Sequence, residues 1–336
     1  MRVGIPRALL YYHFYPMWRA FFEALDVECV VSPPTNKKIL ANGVQRVTGE
    51  TCLPIKLYCG HVVELADDVD YVFAPLVRTL GSNEENCPRL LALPDLVCAV
   101  IPQALPVLAP EIDLEKGPRG FAAAVLGLGI TFSRNPLRIK RAADCAVDVY
   151  RRYQSLLSEG ATMPAAIALL EQNGRELPVR PESGEHGGGR NGFTIGVLGH
   201  AYNLYDTYVN HNLMRRLPSL GVNVLTADGV PAQAARQSTE QHLGDTYWTF
   251  EYELVGAGAY YLERCKVDGL IAIAAFACGP DAVMLDALRR LAQRYHVPLL
   301  GLITDEHTGE AGLVTRVEAF VDMLERKTAG RGVYMA

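Results

Sequence analysis

The sequence predicts an α/β protein of two similar halves, each flavodoxin-like or Rossmann-like with a parallel sheet. Three observations carry this. Short apolar runs alternate with amphipathic helical stretches, the pattern of parallel strands joined by right-handed helical crossovers. The order of these runs in residues 2–31 recurs in residues 194–226. The chain has 336 residues and is 49% hydrophobic, enough for two α/β domains with a buried core each.

The first half opens with the strand RVGIP, a loop and helix through ALLYYHFYPMWRAFFEAL, and a second strand ECVVS. The second half repeats this with TIGVLG, a loop and helix through HAYNLYDTYVNHNLMRRLPSL, and NVLT. An apolar run introduced by Val-Asp follows in both, VDYVFAPLV at 69–77 and VDGLIAIAAF at 267–276, and each leads toward a cysteine with a proline close behind. A duplicated half is the simplest account. Residues 134–172 read as a helical extension of the first half, carrying DCAVDVYRRYQSLL and MPAAIALLEQN. GRELPVRPESGEHGGGRNG then has the Gly, Pro and charge content of an exposed linker. The expected organisation is an N-terminal domain at 1–173, a linker at 174–192 and a C-terminal domain at 193–336.

A formal charge of −5, with no basic stripe, excludes nucleic acid as a partner. No apolar run reaches membrane-spanning length, and Met1-Arg2 passes straight into a strand, so a cytoplasmic protein is expected. The phosphate-loop G-x-x-x-x-G-K-[ST], H-E-x-x-H and G-x-S-x-G patterns are missing. The HGGG at 186–189, without a nucleophile elbow, reads as linker.

Eight cysteines in a reducing compartment point to burial or metal binding rather than to disulfides. Cys52, in GETCLPIKLYCGHVVEL, precedes Pro54 at the start of a helical pattern. Cys278, in AAFACGPDAVMLDALRRL, follows a buried strand and opens a helix with Asp281 as its expected cap. Cys87 lies in the polar loop ENCPRLLALPD, again with Pro next. Helix N-termini stabilise an anionic thiolate cluster and lower thiol pKa values. From spacing alone, a metal or cluster site and ordinary buried thiols stand level.

Cys59 is the candidate fourth ligand, although seven residues of helix place it about 10 Å from Cys52. Cys29, Cys98, Cys145 and Cys265 fall in strand-like or amphipathic runs and read as core. His61 reads as a satisfied helix histidine. In open parallel sheets ligands bind beyond the carboxyl ends of the strands. This directs attention to the loop with Arg7, Tyr11 and Tyr12 and to its counterpart with His200, Tyr202, Asn203 and Tyr205. The polar run Asp305, Glu306, His307, Thr308 and Glu310 reads first as a helix cap and second as a contributor to the cleft.

Taken together, GIPRALLYYHFYPMWRAFF, SPPTNK, ETCLPIKLYCGHV, ENCPRLLALPD, GHAYNLYDTYVN, FACGPD and DEHTGEAGLVTRVEAFVDML resemble the acyl-CoA dehydratase activase-related family, relatives of 2-hydroxyacyl-CoA dehydratase and benzoyl-CoA reductase subunits. The likeness spans almost the whole chain. It implies two flavodoxin-like domains with a 4Fe-4S cluster in the interdomain cleft, bound by the cysteines that correspond to Cys52, Cys87 and Cys278. It also implies electrons from an ATP-dependent iron–sulfur activase. With three thiolates only, one iron is left without a protein ligand, the expected place for a small-molecule substrate; acyl-CoA is a candidate, although the sequence carries no signature for its phosphates. A fully ligated cluster that only relays electrons is the rival reading, and a metal-free binding module the third. A homodimer is compatible with all three.

Overall fold

The structure, a computed structural model, describes residues 1–81, 84–101, 105–172, 192–244, 248–265 and 267–333. Two compact units emerge. The first is built on residues 1–159, the helix that follows and residues 248–250; the second on residues 192–244, 251–265 and 267–333.

In the first unit the chain runs β1 (Arg2–Ile5), α1 (Tyr11–Glu23), β2 (Glu28–Val31), α2 (Lys37–Val44), α3 (Leu53–Leu65), β3 (Tyr71–Phe73), β4 (Leu76–Thr79), α4 (Pro88–Leu91), α5 (Leu93–Val100), β5 (Val107–Leu108), β6 (Glu111–Asp113), α6 (Gly117–Ile130), α7 (Pro136–Ser158) and α8 (Met163–Glu171). A parallel sheet of order β2-β1-β3-β5 forms its centre, with β4 and β6 as a separate parallel pair. Val3, Gly4 and Ile5 are all buried, as expected of a strand covered on both faces. Helix α1 forms because its aromatic residues recur at helical spacing, and Tyr15, Trp18, Phe21 and Phe22 sit in the interior. Asn36 starts α2 by accepting the Lys38 and Ile39 N–H groups. The helical extension expected at 134–172 is present as α7 and α8. It is tied to α1 by the Tyr153 hydroxyl, donated to Tyr12 O at 2.7 Å, and by the Tyr15 hydroxyl, donated to Glu171 at 2.9 Å.

The second unit runs β7 (Thr194–Leu198), α9 (Ala201–Leu204), α10 (Leu213–Ser219), β8 (Asn223–Thr226), α11 (Ala232–Leu243), α12 (Thr249–Tyr260, entering from residues 249–250 of the first unit), β9 (Gly269–Ala275), α13 (Gly279–Arg294), β10 (Leu299–Thr304) and α14 (Glu310–Val333). Its sheet is parallel in the order β8-β7-β9-β10. Every residue of β9 is buried. One face of this sheet packs against Leu254, Met284 and Leu288, the other against Leu213, Leu217, Leu313 and Val317.

Both sheets thus follow one plan: second strand, first, third, fourth. This is the duplication expected from residues 2–31 and 194–226, and it extends to the Val-Asp strands, which pair beside β1 and β7 as β3 and β9. The run at 69–77 departs from expectation by splitting into β3 and β4 around Ala74-Pro75, because Pro75 has no N–H for the ladder. The linker expected at 174–192 lies, apart from Gly192, outside the described residues. Among those described, no helix is long and apolar enough to cross a membrane.

Candidate functional site

In each sheet the topology reverses between the first and third strands, and the crevice beyond their carboxyl ends is where α/β proteins receive ligands. In the first unit Arg7 follows β1, its backbone N–H donating to Ser32 Oγ at 2.8 Å and its guanidinium carbon 5.5 Å from the Tyr11 ring. Tyr11 lines an apolar cavity of about 40 Å3 together with Leu9, Phe14, Trp18, Tyr58 and Leu90. Burial pushes its hydroxyl up to about 12. Tyr12 is buried with its ring edge-on to Tyr11 at 5.2 Å, and its backbone carbonyl accepts the Tyr153 hydroxyl from α7.

The three singled-out cysteines share one placement. Cys52 caps the N-terminus of α3, Cys87 that of α4 and Cys278 that of α13, each with a proline in the first helical turn and none with its side chain making a capping hydrogen bond. Asp281, expected as the α13 cap, is not the cap: it sits three residues inside the helix and points into the interior. Its Oδ2 accepts the Ala275 N–H (2.6 Å) and the Asn203 amide (3.4 Å), and its Oδ1 lies 2.8 Å from His200 Nε2. His200, stacked on Tyr202, thereby joins the loop after β7 to the turn that carries Cys278. That turn holds Ala277 in the left-handed region at φ 60°. A non-glycine residue there costs about 1 kcal/mol. Tyr205 turns to the end of β8, donating to Asp228 and lying 3.3 Å from Thr226 Oγ1.

Cys52 is buried, whereas Cys87 and Cys278 are half-buried. Burial raises the Cys52 thiol pKa, while the Ile55 N–H and the Arg89 guanidinium pull it down and the charge of Cys87 adds to the rise, so the two thiols lie within electrostatic reach of each other. Two cations, Arg89 and Lys56, bond the loop before Cys52, and a third, Arg46, lies near Cys59. Arg89 Nη2 donates to Glu50 O at 3.1 Å, and buried Lys56 donates to Gly49 O at 2.9 Å. Arg46 Nη1 lies 3.4 Å from Val100 O. Among the described residues neither Arg46 nor Arg89 pairs with a carboxylate, and Arg89 Nη1 is buried without a hydrogen bond of good geometry. Thiols at helix N-termini beside an arginine that no carboxylate neutralises are a donor set suited to an anionic thiolate-bound group.

Cys59 is wholly buried two turns along α3, where burial pushes its thiol up to about 11. The core reading holds only partly for the remaining cysteines. Cys29 is half-buried, but Cys98, Cys145 and Cys265 are exposed, because they fall on the solvent faces of α5 and α7 and in the π-turn that ends α12. None of the eight forms a disulfide. His61 is satisfied at both ring nitrogens, by Ser32 Oγ at 2.9 Å and Thr35 Oγ1 at 3.0 Å.

The run from Asp305 builds a capping turn: Asp305 N–H donates to Thr308 Oγ1, whose hydroxyl returns to Asp305 Oδ1, and the His307 N–H donates to the same carboxylate. Burial acts to raise the Asp305 carboxyl, yet these bonds outweigh it and hold it low. Glu306 is half-buried, His307 is exposed, and Glu310 pairs with Arg216. Within either unit, among the described residues, no group of three or more His, Cys, Asp or Glu forms a metal-ion site. The singled-out cysteines divide two and one between the units.

The site residues missed in the sequence are Arg89, Arg46 and Lys56. Lys56 left a signal, a lone cation in the apolar helix LPIKLYCGHVV one turn from Cys52; the two arginines, in ordinary polar surroundings, left none.

Fold and site together define a duplicated α/β protein in which three helices open at a cysteine followed closely by proline. A family model described as CoA enzyme activase uncharacterised domain (DUF2229) matches residues 2–230, and the chain belongs to this CoA enzyme activase-related family. No curated protein matches the sequence.

Proposed function

We propose that this chain holds one 4Fe-4S cluster through Cys52, Cys87 and Cys278. It would use the cluster in low-potential electron transfer, or in reducing a small substrate such as an acyl-CoA, in the cytoplasm. The observation that carries the reading is the shared placement of the three cysteines, each capping a helix N-terminus with proline in the first turn. Free N–H groups at such ends favour negative charge, and metal binding deprotonates a thiol outright, which overcomes the penalty that burial imposes on Cys52. When bound, the cluster supplies one-electron redox chemistry.

Arg89 would offset part of the negative charge, and the His200–Asp281 pair would fix the turn that presents Cys278. Cys59, held neutral by burial, stays outside this set. The electron donor would be an ATP-hydrolysing iron–sulfur activase, as the sequence resemblance implies, while membership of the CoA enzyme activase-related family supports association with a dehydratase component.

Iron and acid-labile sulfide counting on anaerobically purified protein tests the reading. About four of each per chain are expected. Cys87→Ala should lose most of both, whereas Cys145→Ala, on the solvent face of α7, should lose neither. Iron-free wild-type protein sinks the proposal. Cyanide that perturbs the EPR signal of the reduced protein reports an open iron and hence substrate chemistry; an unchanged signal assigns the cluster to electron relay.

A further inference from the structure

Arg89 occupies a singular position in the first unit. It lies two residues after Cys87, and its Nη2 is bonded to the carbonyl of Glu50, two residues before Cys52. One guanidinium therefore fastens the two cysteine loops together. Its other terminal nitrogen, Nη1, is buried without a hydrogen bond of good geometry, the guanidinium lies against the Cys52 thiol and lowers its pKa, and among the described residues no carboxylate neutralises the charge. A buried charged N–H without a strong acceptor is costly, and Cys52 as a thiolate would be the stronger acceptor that its thiol is not. The planar fork of arginine suits the double task, one arm holding a carbonyl and the other free for a second acceptor; a lysine point charge does not.

We propose that Arg89 is the residue that sets the electron affinity of the site, donating Nη1–H to sulfur at Cys52 and placing its positive charge beside the bound anionic group. This rests on the cluster reading above. The direction follows from charge. Reduction adds an electron, so a nearby cation favours the reduced state, and removing it moves the midpoint potential to more negative values. Hydrogen bonds to sulfur act in the same direction.

The experiment compares wild type, Arg89→Gln, Arg89→Lys and, as a control, Arg119→Gln on the exposed surface of α6. All are purified anaerobically and assayed for iron, and their midpoint potentials are read by EPR-monitored redox titration. Arg89→Gln should retain iron while its one-electron equilibrium shifts about tenfold toward the oxidised state, about 59 mV more negative. Arg89→Lys should recover part of that shift, and Arg119→Gln should show none. Iron-bearing Arg89→Gln with an unchanged potential, or an equal shift in Arg119→Gln, overturns the role of Arg89 while leaving the cluster intact. If Arg89→Gln fails to hold iron, Arg89→Lys decides, and a wild-type potential there overturns the role. Wild-type protein without iron removes the cluster reading itself and this inference with it.

Discussion

His61 shows how a single side chain can be read for its physics. It is fully enclosed, with both ring nitrogens engaged by Ser32 and Thr35. Burial first, and the Arg7 charge second, hold its pKa down at about 3 against an ordinary 6.5. The folded state therefore keeps the ring neutral, while the unfolded chain takes up a proton as pH drops through 6.5. The stability this residue contributes is complete above 6.5 and is lost as the pH falls toward 3, at about 1.4 kcal/mol per pH unit. Urea unfolding at pH 7 and pH 5 should show that slope in wild type and a smaller one in His61→Gln; identical slopes contradict the assignment. Sequence reasoning reached His61 because a histidine inside an apolar helix has few fates. It reached Cys52, Cys87 and Cys278 because proline marks a helix start. It placed Asp281 wrongly because capping statistics describe the first residue of a helix, whereas the buried His200 drew this carboxylate inward.

At the scale of elements, the packing of α2 on α3 sets where Cys52 can be. The two helices approach so closely that a Cβ on Gly43 would stand 1.8 Å from Lys56 O, and one on Gly60 2.0 Å from Ile39 O. Both obstacles are backbone atoms, which cannot swing aside. Gly60→Ala must therefore push the helices apart, at a cost of about 1–3 kcal/mol. Gly127, inside α6, meets nothing within 4 Å. There the same substitution should stabilise by about 0.5–1 kcal/mol. Opposite shifts of the urea midpoint test the pair, and a neutral Gly60→Ala would show that α2 and α3 do not touch as described. Much of this level was legible in the sequence. Strands and helices alternate where the apolar runs alternate, and α7 and α8 fall where the extension was expected. The break of VDYVFAPLV at Pro75 was legible too, since proline interrupts a ladder; the apolar composition on both sides masked it. The α2–α3 contact was not, because a glycine in a helix records the absence of a side chain and does not say what fills the space.

At the scale of the whole molecule, the two sheets repeat one strand order, yet the proposed ligands are shared unequally. Cys52 and Cys87 belong to the first unit and Cys278 to the second. A group bound by all three links the folding of both units to one ligand, since binding to the native state alone stabilises whatever it touches. Local opening of backbone hydrogen bonds reports this directly, unit by unit. Hydrogen exchange on anaerobic protein before and after iron removal by a chelator should show faster exchange at residues 52–56 and 87–91 in the first unit and, in the same experiment, at 278–282 in the second. The solvent-facing helix α7 should be unchanged and serves as the internal reference. Loss of protection confined to the first unit would take Cys278 out of the ligand set and leave the cation-flanked pair Cys52 and Cys87 as the site. Loss in both units, abolished in Cys278→Ala, is the outcome that only a group held by the two halves together produces.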